Sequence, residues 1–373
     1  MREKKKSSSW FPAYFCAVHI YYGKGGGEYG GTGQDQGKGM DGMDSMDRRE
    51  QLLRNFGGAV RAVLEHIRED FAGIQEIRMR ADSPLFVFYR GQEYSVSPQG
   101  VLSRNCQQAY VVTARDIKDT VELLSQYSMY AYEDELRQGY ITVAGGHRVG
   151  MAGKIVMDGT RVKTMRYISF LNIRLSHQVK GCAQVLLPHL TDSHGFIYQT
   201  LILSPPRCGK TTLLRDLIRL LSDGTKDRQG VTVGVADERS EIAACYLGKP
   251  QNDLGKRTDV LDGCPKAEGM MMLIRTMAPQ VVAVDEIGGR SDLEAMEYAV
   301  NCGCRLIATV HGSSFDDLLG KPVLKEMVRE KIFERFVVLG SREKPGSSMA
   351  VLDGSGKELW KNIGGREKCH GGI

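Results

Sequence analysis

Thr200-Leu201-Ile202-Leu203 is an apolar run. Ser204-Pro205-Pro206-Arg207-Cys208-Gly209-Lys210-Thr211-Thr212 follows it, then the amphipathic stretch Leu213 to Ile218. Strand, loop and helix in that order are what a phosphate-binding P-loop requires, and nothing else in the chain restricts its fold as tightly. In such a loop the backbone N–H groups around Cys208 to Thr211 converge on a β-phosphate at the positive end of the helix. Lys210 reaches the β- and γ-phosphates, and the Thr211 hydroxyl is a ligand for Mg²⁺. Ser204 stands where the pattern G-x-x-x-x-G-K-[ST] has its first glycine; a small serine can still turn there, and Pro205-Pro206 stiffen the loop. Ser204, Pro205, Pro206, Arg207, Cys208, Gly209, Lys210, Thr211 and Thr212 are therefore the expected ATP-binding residues.

A nucleoside triphosphatase also needs a carboxylate near Mg²⁺ and one near the attacking water. Val281-Val282-Ala283-Val284 ends in Asp285-Glu286, where Asp285, with Thr211, would serve the metal and Glu286 would polarise the water. A second acidic cluster, Asp237-Glu238-Arg239-Ser240-Glu241, follows the strand-like Val231 to Ala236, and Glu238 is the next candidate for the base. Arg305 to Val310 ends in His311, a candidate phosphate sensor. These strands alternate with helical stretches, notably Gly269 to Met277 and Asp292 to Cys302. That is the rhythm of a parallel sheet with helices on both faces, an α/β fold.

Upstream, Leu52, Leu53, Phe56, Val60, Val63, Leu64 and Ile67 recur at helical spacing, and a second helix is expected over Thr113 to Gln126. Strands are expected at Glu76 to Arg80, Leu85 to Tyr89, Tyr140 to Lys154 and Ser169 to Leu175. The expected organisation is a disordered extension over 1–46 (Met40, Met43 and Met46 offer later starts), a smaller N-terminal α+β domain over 47–180, the P-loop core over 181–345 and a flexible tail over 346–373. A length of 373 residues fits two domains plus a remainder. The formal charge of +5 is too small to name a nucleic-acid or membrane partner. Nine cysteines without a CxxC pair fit a reducing compartment. No apolar run reaches about 18 residues, so the sequence offers no membrane-spanning helix.

The order P-loop, Asp237-Glu238, Asp285-Glu286, His311 resembles the secretion-ATPase branch of P-loop enzymes, whose elements are called Walker A, Asp box, Walker B and His box. That likeness implies a RecA-like, AAA-type core. The chain is more similar still to the stage III sporulation protein AA family of endospore-forming bacteria. The residues that carry this are Tyr132 to Tyr140, Gly145-Gly146-His147-Arg148-Val149-Gly150, Ser204 to Thr212, Ala236 to Glu241 with Gly248, and Val284 to Gly288. The resemblance spans roughly 47–345 and includes the Ser-Pro-Pro form of the loop.

It implies an ATPase of the mother-cell cytoplasm, peripheral to the membrane through its partners, which powers a secretion-like channel between mother cell and forespore. Membrane-embedded proteins of the same sporulation complex are the implied partners, and a homo-hexamer the implied assembly. In a ring, a cation is also needed at the γ-phosphate of a neighbour. Arg148, Arg174, Arg239 and Arg275 are candidates, with Arg174 and Arg239 ranked first. The alternative is a nucleic-acid-dependent translocase, against which stands the lack of an aromatic platform or a dense basic stripe outside the first residues. A small-molecule kinase would need neither the Asp237-Glu238 cluster nor so long an N-terminal part.

Overall fold

A computed structural model describes residues 49–128, 132–226, 228–340, 348–363 and 366–368. Chain contacts divide the molecule into Met1–Met43 and Asp44–Ile373, and all described residues belong to the second unit. The expected extension over 1–46 lies outside them.

Two sheets organise the described residues. The first is antiparallel throughout: β1 (Ile74–Arg80), β2 (Phe86–Tyr89), β3 (Gln92–Val96), β4 (Leu102–Ser103), β5 (Tyr140–Val143), β6 (His147–Asp158) and β7 (Arg161–Arg174), in the order β4-β3-β2-β1-β7-β6-β5. Ile77 and Met79 on β1 and Ile141 and Val143 on β5 point to one buried face, the period-2 alternation of a sheet with one face on a core. Helices α1 (Gly58–Glu65) and α2 (Ala114–Leu124) supply residues to the same core, among them Leu64 and Ile117. Reciprocal bonds fix the start of α2: the Thr113 hydroxyl accepts from the Asp116 N–H at 3.1 Å and the Asp116 carboxylate accepts from the Thr113 N–H at 2.8 Å.

The second sheet holds β8 (Thr200–Ser204), β9 (Val233–Asp237), β10 (Thr258–Asp262), β11 (Val281–Val284), β12 (Arg305–His311), β13 (Arg335–Gly340), β14 (Ser348–Asp353), β15 (Glu358–Ile363) and β16 (Arg366–Lys368), in the order β10-β9-β11-β12-β8-β13-β14-β15-β16. Strands β10 through β13 in that order pair in parallel, and β13 through β16 pair antiparallel. Strands β8, β9 and β11 are buried along their whole length. Apart from the polar residues at the ends of β8 and β9, such strands read as apolar runs because helices cover both faces. Helix α3 (Lys210–Asp223) lies on one face through Leu213, Leu214 and Leu217. On the other, α4 (Lys266–Thr276) and α5 (Arg290–Asn301) contribute Met270, Leu273, Leu293 and Met296. With β12 separating the P-loop strand β8 from the Asp285 strand β11, the core is RecA-like. Because these strands run in parallel, the P-loop, Asp237, Asp285 and His311 all emerge at one sheet edge, where open α/β sheets gather their ligands.

Within the flexible tail expected over 346–373, the described residues 348–363 are a correction. Residues 348–353 and 358–363 are strands, and Trp360 is only 1% exposed, stacked on His189 with ring centroids 5.1 Å apart. The Gly and polar residues that suggested a frayed end flank the short apolar run Met349 to Leu352, and pairing with β13 outweighs their weak local propensity.

Candidate functional site

The loop that joins β8 to α3 is built on positive φ. Gly209, the residue that precedes the helix, sits at φ +91°, and Arg207 at +64°. Only glycine takes the first of these without strain. The Cys208 side chain is wholly buried, and the Ser204 hydroxyl donates to the Pro205 carbonyl at 2.9 Å, so Ser204 shapes the loop from inside. Helix α3 then begins on Lys210, and its first N–H groups face the loop with no partner further up the helix.

Lys210 is 6% exposed, and its Nζ donates to Glu286 Oε1 at 3.2 Å. The next residue, Thr211, donates to Asp285 Oδ2 at 2.7 Å. Asp285 Oδ1 accepts from the Thr309 hydroxyl, and the Glu286 N–H donates to the same hydroxyl oxygen at 2.9 Å. Glu286 itself has φ +56°. Arg239 Nη1 lies 2.6 Å from Glu286 Oε2, and His311 Nε2 lies 2.9 Å from Glu286 Oε1. Three basic side chains thus converge on one carboxylate. Burial acts to raise the Glu286 carboxyl, but Lys210, His311 and Arg239 together outweigh it and hold the group below its ordinary value. The surrounding cleft of about 600 Å³ is lined by Pro206, Lys210, Thr211, Arg239, Glu286 and His311, among others.

The other acidic cluster divides into two roles. Asp237 is 2% exposed, and its oxygens accept from the N–H groups of Glu241, Ile242 and Ala243 at 2.9, 3.0 and 2.8 Å. It therefore holds the following turn in place. Burial pushes its carboxyl up to about 6, against those three donors. Glu238 pairs with Lys266 and lies in a narrow recess beside Asp285 and Glu286. Arg174 is not in the cleft: it lies on β7, 60% exposed, with its Nε 3.6 Å from Glu76. Its neighbour across the ladder, Arg148, reaches Glu241 Oε1 at 3.2 Å, with its guanidinium 3.5 Å from the Tyr140 ring centroid. Arg275 lies over the Tyr298 ring. Thr309, which joins Asp285 and Glu286, is the residue the motifs do not name. Its signal is strand alternation, since it sits two positions before His311 and so on the same side of β12.

Residues 46–359 match the protein family described as "Sporulation stage III, protein AA". The chain belongs to that family. The "Stage III sporulation protein AA" of Bacillus subtilis (strain 168) is 42% identical over 303 residues, covering 81% of this chain and 94% of that one. Among solved structures, the Legionella pneumophila ATPase DotB superposes with a TM-score of 0.47 at 12% identity, over 76% of this chain and 77% of its own. The pilus retraction motor PilT with bound ADP gives 0.48 at 13%, over 72% and 74%.

In this member of the sporulation stage III AA family, the matched stretch includes the whole cleft. Thr211 and Asp285 offer one hydroxyl and one carboxylate, the sparse set of hard oxygens that suits Mg²⁺ when phosphates and water supply the remaining ligands. Lys210 and Arg239 bring positive charge to the mouth of the loop, and His311 stands beside them. The donors fit a magnesium–nucleotide pair. Among the described residues, no helix is long and apolar enough to cross a membrane.

Proposed function

We propose that this chain hydrolyses ATP with Mg²⁺ and, as a ring of six copies in the mother-cell cytoplasm, drives a secretion-like membrane complex during sporulation. The carrying observation is Glu286 at the mouth of the P-loop cleft, gripped by Lys210, Arg239 and His311. Lys210 exchanges its carboxylate for the β- and γ-phosphates when nucleotide enters. Glu286, thereby released on one side, accepts the proton of the attacking water. Arg239 and His311 stand where negative charge develops on the transferred phosphoryl group. Mg²⁺ held by Thr211 and Asp285 would supply charge neutralisation at the β- and γ-oxygens.

Arg239 serves its own subunit in this scheme, and Arg174, exposed on the N-terminal sheet, is the arginine placed to serve a neighbouring copy. The N-terminal domain over 47–180 would then assemble or recruit, and the core that follows it would be the motor. The family, in which a Bacillus subtilis sporulation protein is 42% identical, supports the cellular setting.

The test is turnover by the purified chain. Lys210→Ala should abolish nucleotide binding, and Glu286→Gln should bind ATP while hydrolysis falls by at least about 100-fold. Normal hydrolysis by Glu286→Gln would remove Glu286 from its role and pass it to Glu238. Strong stimulation by single-stranded nucleic acid would replace the channel motor with a translocase.

A further inference from the structure

The turn after Asp237 is clamped through all of its main-chain polar groups. The N–H groups of Glu241, Ile242 and Ala243 are taken by the Asp237 carboxylate. The three carbonyls are held from elsewhere. Arg215 Nε on α3 donates to the Glu241 carbonyl at 3.2 Å, and Asn252 Nδ2 to that of Ile242 at 2.8 Å. The N–H groups of Gln251 and Asn252 donate to the Ala243 carbonyl at 3.0 and 3.1 Å. Ser240 and Ala244, on either side, have φ of +52° and +50°. Residues other than glycine keep such angles only where their surroundings impose them.

Asn252 is 6% exposed and belongs to none of the nucleotide-binding motifs. Its side-chain amide is bonded at both ends. While Nδ2 holds Ile242, Oδ1 accepts from the Ser176 hydroxyl at 3.4 Å. Ser176 lies in the segment that joins the antiparallel sheet to the core, and its N–H donates to His147 Nδ1 at 3.0 Å. Asn252 therefore fixes the turn against the connecting segment. At the start of the turn, the left-handed Ser240 sets the direction in which Arg239 leaves the chain, and Arg239 Nη1 lies 2.6 Å from Glu286 Oε2.

We propose that Asn252 is a positioning residue for hydrolysis: by holding the Ile242 carbonyl it keeps Ser240 left-handed and Arg239 aimed at the transferred phosphoryl group beside Glu286. The role rests on the ATP hydrolysis proposed above. Lys210 and Thr211, which would bind the nucleotide, hang on the loop between β8 and α3 and do not depend on this bond. Its loss therefore slows the chemical step and leaves nucleotide affinity alone, because a misdirected arginine stabilises the transition state less well.

The test measures ATP turnover by the full chain per molecule that binds labelled ADP, so that misfolded protein does not count. Asn252→Leu keeps the approximate volume and removes the donor. Asn252→Ala leaves room for a water at the carbonyl and is the variant more certain to fold. Asn252→Leu should lower kcat by at least about tenfold with KM for ATP near wild type, and Asn252→Ala should lower kcat in the same sense. Arg239→Ala combined with either variant should be no slower than Arg239→Ala alone, whereas a merely structural role would multiply the two losses. Amide exchange at Glu241 and Ile242 should quicken in both variants. Wild-type turnover by either variant, multiplied losses or unchanged exchange would overturn the proposal while leaving the hydrolytic reading in place. A wild type without turnover would overturn the hydrolytic reading, and the positioning role with it.

Discussion

Thr309 ties together the two carboxylates that the motifs treat separately. Its hydroxyl donates to Asp285 and accepts from the Glu286 N–H, and the residue is fully buried. Thr309→Val keeps the shape and strands that N–H, which should cost about 1–3 kcal/mol of stability. It should also lower kcat more than nucleotide affinity; urea unfolding and steady-state kinetics on one preparation would show both. Glu286 gives a pH prediction with a definite sign. Its carboxyl lies below the ordinary value of 4.5, so the folded state holds the proton less firmly than the unfolded chain. The stabilisation is complete above about 4.5 and is lost as pH falls through the lower folded value. Between neutrality and pH 4 the urea midpoint of wild type should fall further than that of Glu286→Gln, and parallel curves would contradict the ion-pair account. At this scale the sequence was most legible where a residue's chemistry is announced by its neighbours in the chain, as for Lys210, Thr211 and Asp285. It was least legible for Arg174 and Arg239. Both looked alike in sequence, yet Arg174 on β7 lies on Glu76 and Arg239 in the turn after β9 lies on Glu286, because only the element that carries a residue decides which group it meets.

Among the elements, α4 shows how closely a helix can be drawn to a sheet. Gly269 lies within it although glycine weakens a helix interior by roughly 0.5–1 kcal/mol, and a β-carbon there would stand 2.8 Å from that of Ala236. Ala236 immediately precedes Asp237, so the missing side chain lets α4 rest on the strand that carries the acidic turn. Gly269→Val should force the two apart, destabilising the protein by about 1–3 kcal/mol and loosening the grip of Asp237 on residues 241–243. Amide exchange at Ile242 and Ala243 would detect this, and protection equal to wild type would argue against the close-packing role. The core strands were easy to read because a strand covered on both faces is apolar along its middle, as β11 is throughout and β8 is from Leu201 to Leu203. Residues 348–363 were not, because their pattern is short and their partner β13 is supplied by another part of the chain.

At the scale of the whole molecule, directed polar contacts join the N-terminal part to the core. Arg148 reaches Glu241 from β6, the Gly145 N–H donates to Gln251 Oε1 at 2.8 Å, and Lys180 holds Asp253 at 2.8 Å. Arg148→Ala removes a partly exposed ion pair and a stacked ring, together worth about 1 kcal/mol. Trypsin should then cut after Lys180 roughly fivefold faster, if local opening of this connection limits cleavage. An unchanged rate would place the coupling elsewhere. Trp360 adds a matter of timing. During synthesis the P-loop leaves the ribosome well before β13, and the strands behind β13 leave later still. A nascent chain that already carries every residue of the cleft therefore still presents an unpaired sheet edge. A message broken between the codons for 340 and 348 would yield a chain that carries every residue of the cleft and is exposed along β13, a substrate for proteolysis.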